Sequence, residues 1–378
     1  MDDNKKSGIG YKQKLRLLCF SFYNLDYGIG ASATFLDQLN NLPQNIVATV
    51  IEPKRVDLPS VEIELKNNVE RVILPVPLTS LTSFLFPIFA LFYSIKNIAK
   101  LQPSIIFSMH HPFHSLSVTG HFISKLFHVS HIVDLRDVWR NMGVKGSSLL
   151  RWQDFFERLV VRLIKNDLMV FVCSENKLLL ESRTNLKFKN SLVLPNCVSD
   201  SLIENIKRNS NREKNVINFI FVGRVGSEYG LNKVQPILDI LPSFGYTPRL
   251  LVVGHNQVGM PSKYCTFVGS LTRKETIQLI SESDVGIGPF YPTIAVPRKV
   301  VEYLALGKIV IFGKNAISKD IIKTYGEFLI EISETDDLNE VVTNMLKKLD
   351  TIKYDSKKME PLYCTKRMNI IIKRVLGE

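Results

Sequence analysis

The sequence has no C-x-x-C pair. Its five cysteines, Cys19, Cys173, Cys197, Cys265 and Cys364, are odd in number and widely scattered. That spacing excludes a zinc-ribbon framework and reads as a reduced cytosolic chain without a disulfide scaffold. An apolar core near the start is also missing: residues 1–14 are polar and basic, which predicts no secretion through a signal peptide. No apolar run reaches the ~20 residues needed to span a bilayer. Internal repeats and low-complexity tracts are absent as well. The formal charge is +12 and the pI near 9.3, yet the basic residues form no concentrated arm and no nucleic-acid motif. The charge therefore points to phosphates, nucleotides or acidic lipid surfaces, and the sequence reads as one with no nucleic-acid partner.

What is present is a chain with two cores' worth of apolar residue. At 378 residues and 45% hydrophobic content, the sequence suggests two domains. Short β-branched runs alternate with helix-length segments throughout. "LRLLCFSF", "NIVATVIE", "SIIFSMH", "SHIVDLRD", "LMVFVCS" and "SLVLPN" mark the first half; "VINFIFVGR", "PRLLVVGH", "DVGIGPF" and "KIVIFG" mark the second. Apolar runs without alternation are buried strands of parallel sheets covered by helices on both faces. The polar stretch "KRNSNREKN", 207–215, reads as the linker. The expected architecture is α/β: two doubly wound, Rossmann-like domains facing one another across a cleft, with ligands at the strand C-termini. The boundaries are 1–206 and 207–360, with a helix at 361–378 returning to the first domain.

The segment "LTSFLFPIFALFYSI", 81–95, is continuously apolar, holds Pro87, and is followed by Lys96 and Lys100. It is too short to cross a bilayer. Three readings stay open: a buried helix, a helix lying on an anionic membrane surface through residues 81–100, and a subunit contact.

A second segment, "AVPRKVVEYLALGKIVI" at 295–311, combines a proline, two cations and a carboxylate with an apolar helix pattern. Val300, Val301, Leu304 and Ala305 fall on one face; Lys299 and Glu302 fall on another. A helix N-terminus with a lysine attracts phosphate, and a carboxylate one turn deeper can accept from a vicinal diol. The alternative is a solvent-exposed Lys–Glu pair, which would stabilise the helix by ~0.2–0.5 kcal/mol.

This stretch resembles the P-x-K-x-x-E-Y-x-A-x-G-K-P-V-I signature of retaining glycosyltransferases of family four, which have the GT-B fold. Supporting stretches occur in the same order: "YGIGASATFLDQL", "SMHHPFHSLS", "LVLPNCVSD", "FVGRV", "LLVVGH", "YCTFVGSLTRKE" and "SESDVGIGPF". The resemblance implies that Gly223, Arg224 and Lys299 bind a donor diphosphate and that Glu302 binds the ribose. It implies that Gly28 and Gly30 let the first loop approach phosphate or sugar. His110, in the element "HHPFHSLS", would contact the transferring sugar, making His110, Arg224 and Lys299 the catalytic set. In "DLRDVW", which holds Asp134, Arg136 and Asp137, Asp137 and Arg136 are candidates for acceptor or sugar contact; a buried Arg–Asp pair fixing the loop is the competing reading. His110, His111, His114 and His121 have no strong ligand spacing, and the family generally needs no metal, so neither metal nor cofactor is expected; His121 reads as a packing residue.

Two departures from the family pattern stand out. Tyr229 occupies the place of a phosphate-binding lysine, and Ile294 that of a first glutamate linked to the sugar. The functional expectation is a retaining glycosyltransferase moving a sugar from a nucleotide sugar to a glycan or lipid-linked acceptor. Such a chain would work in surface polysaccharide or glycoconjugate synthesis, in the cytoplasm or at the inner membrane face. The alternatives are a catalytically weak accessory subunit and, third, a nucleotide-sugar epimerase.

Overall fold

The computed structural model describes residues 14–27, 30–54, 65–77, 85–110, 116–136, 148–204, 206, 213–223, 231–254, 263–291 and 296–378. The first lobe begins with β1 (Leu15–Phe20), α1 (Gly30–Asn40), β2 (Ile46–Lys54), β3 (Val69–Pro77), α2 (Phe86–Lys96) and α3 (Ile98–Leu101). It continues with β4 (Ile105–Met109), α4 (Leu116–Phe127), β5 (Ser130–Leu135), α5 (Ser148–Ile164), β6 (Leu168–Phe171), α6 (Ser174–Thr184) and β7 (Ser191–Val193). A short α7 (Asp200–Glu204) precedes the second lobe, which opens with β8 (Val216–Val222), α8 (Gln235–Ile240), β9 (Thr247–Val253) and β10 (Cys265–Gly269). Then come α9 (Arg273–Glu282), β11 (Val285–Ile287), α10 (Arg298–Ala305), β12 (Ile309–Gly313), α11 (Lys319–Tyr325) and β13 (Leu329–Ile332). The chain closes with α12 (Leu338–Thr351), α13 (Ser356–Met359) and α14 (Cys364–Leu376). Of the linker at 207–215, residues 207–212 lie outside the described residues.

The strands form two parallel sheets, ordered β3-β2-β1-β4-β5-β6-β7 and β10-β9-β8-β11-β12-β13. Strands such as β4 and β6 are buried at every residue, which is why their sequences do not alternate. Each order reverses once, between β1 and β4 and between β8 and β11, and a doubly wound sheet opens its ligand crevice at that point. This is the two-domain GT-B fold.

Helices cover both faces of the first sheet. Phe35 of α1 and Met368, Ile371 and Ile372 of α14 pack on the face that carries Leu17, Cys19 and Phe107. The C-terminal helix thus belongs to the core of the first lobe. Phe86 and Ala90 of α2 and Leu116 and Ile123 of α4 pack on the other face, against Leu18, Phe20 and Ile106.

One expectation is corrected here, and one open reading is narrowed. The five cysteines are not all unbridged: Cys197, in the crossover after β7, is disulfide-bonded to Cys364 at the start of α14. The partners are 167 residues apart, so no local motif reveals them. They meet because the crossover runs beside the chain entering α14, with Val198 N–H donating to Leu362 O and Cys364 N–H to Val198 O, both at 3.0 Å. The apolar segment is also not simply a buried helix. Phe86, Pro87, Ala90 and Ser94 face inward, while Ile88, Phe89, Phe92 and Ile95 are 40–67% exposed. No helix among the described residues is long and apolar enough to cross a membrane.

Candidate functional site

The candidate site is built around α10. Pro297 is the N-cap residue and supplies no side-chain cap, so the helix start is open to an external acceptor. Val300, Val301, Leu304 and Ala305 are fully buried, as their apolar spacing requires. Tyr303 anchors the helix beneath β8 and β11. Its ring lies so close to Gly286 that a Cβ there would come within 2.3 Å, and its hydroxyl accepts from Val222 N–H at 3.1 Å. Beside it, Gly223 ends β8 with φ +133°. A Cβ at Gly254 would lie 2.0 Å from Gly223 O, so the ends of β8 and β9 meet backbone to backbone.

Glu302 does not form the exposed Lys–Glu pair. It is 3% exposed, and its Oε1 accepts from Arg298 Nε at 2.7 Å and from Arg273 Nη1 at 2.8 Å. Arg298 comes from the first turn of the same helix and Arg273 from the start of α9. Both arginines also reach Asp37 of α1 in the first lobe, Arg298 Nη2 at 2.6 Å and Arg273 Nη2 at 3.2 Å from Oδ2. Two carboxylates and two guanidiniums thus join the lobes. Sequence reasoning missed Asp37, Arg273 and Arg298; the one local signal was the i, i+4 spacing of Arg298 and Glu302.

Lys299 takes a different course. Its Nζ sits 3.9 Å from the centre of the Phe221 ring, at the end of β8. Burial pulls its pKa down to about 7, against a smaller upward pull from Glu302. A half-buried lysine with no ion-pair partner among the described residues gains charge when an anion arrives.

In the first lobe, His110 follows β4, and its backbone N–H donates to Asp134 O at 3.0 Å. Its Nδ1 lies 3.0 Å from Ser117 Oγ, and its buried Nε2 has no hydrogen-bond partner among the described residues. Burial lowers its pKa to about 4, so the ring is neutral at physiological pH.

Arg136 points into a buried relay. Its Nε donates to Asp134 Oδ2 at 2.9 Å and its Nη2 to Gln38 Oε1 at 3.0 Å, while Arg367 Nη2 of α14 donates to Asp134 Oδ1 at 2.7 Å. Burial alone would raise the Asp134 pKa, but the two arginines outweigh it and hold the carboxyl below its ordinary value. The buried-pair reading of Arg136 therefore describes its contacts. Asn196 of the "PNCV" crossover ties the lobes as well, its Nδ2 donating to Val296 O at 2.8 Å just before α10.

Of the residues singled out in the sequence, Lys299, Glu302 and Gly223 come together around α10 and the end of β8. His110 and Arg136 follow adjacent strands of the other lobe, and Gly30 opens α1. Gly28, Arg224 and Asp137, with Tyr229 and Ile294, lie outside the described residues. Two of the seven histidines and one aspartate count more than the sequence suggests. His121, His131 and Asp167 form a buried cluster, with Ser108 against His131.

No protein-family model matches the sequence, and no curated protein matches it. Solved structures do share the fold. Sucrose-phosphate synthase from Thermosynechococcus elongatus aligns with TM-score 0.66 at 14% identity, over 96% of this chain and 99% of that one. WaaG, a glycosyltransferase involved in lipopolysaccharide biosynthesis, aligns with TM-score 0.56 at 13% identity, over 96% and 97%. A putative UDP-N-acetylglucosamine 2-epimerase from Listeria monocytogenes aligns with TM-score 0.59 at 11% identity, over 96% of each chain. Identities this low speak to architecture, and the same architecture carries transferases and an epimerase.

Proposed function

We propose that this chain is a retaining glycosyltransferase that moves a sugar from a nucleotide sugar to a glycan or lipid-linked acceptor. The observation that carries the reading is α10. A buried carboxylate and a half-buried lysine with its pKa near 7 stand at an uncapped helix start, at the switch point of the second sheet. The helix start and Lys299 receive the diphosphate, with Arg224 beside Gly223 as a second cation. Glu302 takes the ribose hydroxyls through Oε2, since both arginines use Oε1.

In the reaction, the bond from the sugar's anomeric carbon to the diphosphate oxygen breaks, and a bond to the acceptor oxygen forms on the same face. The acceptor proton passes to the departing phosphate oxygen. No protein nucleophile is assigned, so rate comes from positioning and from offsetting the diphosphate's charge. His110, neutral with Nε2 free, hydrogen-bonds the transferring sugar. Asp137 and Arg136 border the acceptor side. Neither metal nor cofactor takes part in this step.

The acceptor reading draws on the surface. α2 packs beside α4, and α4 beside α5, on one side of the first lobe. Their outward stripes expose Phe89 and Phe92, Phe122 and Leu126, and Phe155 and Leu159, between 49% and 67%. α2, α3 and α4 hold no acidic residue, while Lys96, Lys100 and Lys125 border the face. Apolar side chains ringed by lysines suit an anionic lipid surface, where a lipid-linked acceptor resides; the inner face of a membrane is the location this implies.

The test is incubation with a panel of nucleotide sugars and membrane-lipid or glycan acceptors, followed by NMR. Release of nucleoside diphosphate with a product of unchanged anomeric configuration supports the proposal; an inverted product overturns the retaining mechanism. Conversion of a nucleotide sugar to its epimer would select the epimerase reading. The departures at Tyr229 and Ile294 favour one other reading, an accessory subunit, which predicts donor binding without turnover across the whole panel.

A further inference from the structure

We propose that His121, His131 and Asp167 form a binding site for a divalent transition metal of the zinc type. The cluster is remote from the candidate donor site: His131 and Asp167 lie at the starts of β5 and β6, whereas the cleft lies beyond the strand ends. Three elements converge there. His121 comes from α4, His131 from β5 and Asp167 from the turn between α5 and β6, and all three side chains are buried. Both imidazole Nδ1 atoms lie 2.8 Å from the same Asp167 oxygen, Oδ2, and the three donor atoms are within 4.8 Å of one another. Tetrahedral zinc with bonds of about 2.0–2.1 Å sets its ligand atoms about 3.3 Å apart, so the two His–Asp contacts need to open by ~0.5 Å and the two imidazole nitrogens, at most 4.8 Å apart, to settle at the same spacing.

The surroundings suit a ligand rather than a closed hydrogen-bonded knot. His131 Nε2 lies 2.7 Å from Ser108 Oγ, a hydroxyl that can donate or accept. With the metal absent, the ring carries its proton on Nδ1 for Asp167, and Ser108 donates to Nε2. On binding, the ring passes to its other neutral tautomer: Nδ1 gives up its proton, Nε2 takes one up and donates it to Ser108 Oγ, and the Nδ1 lone pair turns to the metal, with no net change in the ring's protonation. This is the outer-shell contact that fixes a metal-binding histidine. Position 120 is glycine where a Cβ would stand 2.4 Å from His131 Nε2, so the helix leaves room for the ring. A cavity of about 420 Å³ opens against His131 and Asp167, lined also by Asn166, Lys125 and Arg374. Three protein ligands and an open side make the coordination set of a zinc with water, or a small anion, in its fourth position. The ion would pin α4 to β5 and β6 at the base of the first lobe.

The experiment is titration of tag-free, metal-stripped full-length protein with Co²⁺, read by visible absorption and by metal content per chain. One ion per chain with a tetrahedral-intensity band is expected. Ser108→Ala, which removes only the outer hydrogen bond, should weaken Co²⁺ binding roughly 10–100-fold. His121→Cys keeps a three-ligand set and should add a thiolate-to-cobalt charge-transfer band, a signature no purely structural role produces. Absence of a band in the wild-type protein overturns the site. So does unchanged Co²⁺ binding in folded Asp167→Asn or His121→Ala protein.

Discussion

Glu302 shows what a single residue adds once its partners are known. From the sequence alone, Glu302→Ala is expected to weaken nucleotide-sugar binding by about 1.5–3 kcal/mol, the loss of a charge-assisted hydrogen bond, with the fold unaffected. The contacts to Arg298 and Arg273 change that expectation. Removing the carboxylate leaves two largely buried guanidiniums sharing Asp37 alone, which should destabilise the fold by up to about 3 kcal/mol, the low end for a broken buried pair. A denaturant titration checks it: Glu302→Ala should lose stability even without ligand. Lys299 gives a residue-scale prediction about pH. Its pKa is pulled down to about 7, and a bound diphosphate raises it. Above pH 7, binding must then take up a proton, and affinity falls as pH rises, by at most about tenfold per unit. Calorimetry between pH 7.5 and 9, in buffers of different ionisation enthalpy, should register that uptake for the wild type and not for Lys299→Ala. The sequence placed Lys299 and Glu302 on α10 through periodicity. The alternative it left open paired Glu302 with Lys299, whereas Arg298 is the partner, because i, i+3 and i, i+4 neighbours are equally near on a bare helix and only tertiary packing chooses between them.

At the scale of elements, the central strands were legible and three edge strands were not. β1, β4, β5, β6, β8, β11 and β12 are largely buried on both faces, as is the second half of β9, and continuous apolar runs mark them. β3, β10 and β13 lie at sheet edges; β10 has no fully buried residue, and Ile73 in β3 is 49% exposed. A half-covered strand loses the unbroken run that identifies it. For α2, composition signalled apolarity but could not divide it between an inward and an outward face. The outward stripe carries a prediction. Vesicles containing anionic lipid should sediment the wild-type protein at low salt and release it as salt rises, since each lysine near the surface adds about 1 kcal/mol. Phe89→Ser with Phe92→Ser should reduce binding while leaving thermal stability nearly unchanged, because both side chains are largely solvent-exposed. Undiminished binding by the folded double variant would remove α2 from the contact.

For the whole molecule, what one sequence could not reveal is how distant segments meet. The Asp37–Arg298 contact spans the lobes, and the Cys197–Cys364 bond joins the crossover to α14, a separation of 167 residues. In the chain-entropy account, closing so long a loop stabilises by up to about 5 kcal/mol. Cys364→Ser should therefore lower the melting temperature, and alkylation of the denatured, unreduced wild type should label three cysteines rather than five. Two lobes tied in this way leave a cleft whose second-lobe wall begins at α10. The claim that α10 holds a nucleotide donor is tested most directly by ligand-induced stabilisation. Melting temperatures are measured for the wild type, Lys299→Ala and Glu302→Gln with the diphosphates of uridine, guanosine, adenosine, cytidine and thymidine. At one hundred times its Kd, a bound diphosphate adds about 2.7 kcal/mol to the wild type. The account predicts a clear rise with at least one of the five, much reduced in Lys299→Ala and Glu302→Gln; no rise with any of them, or an equal rise in all three proteins, would contradict it.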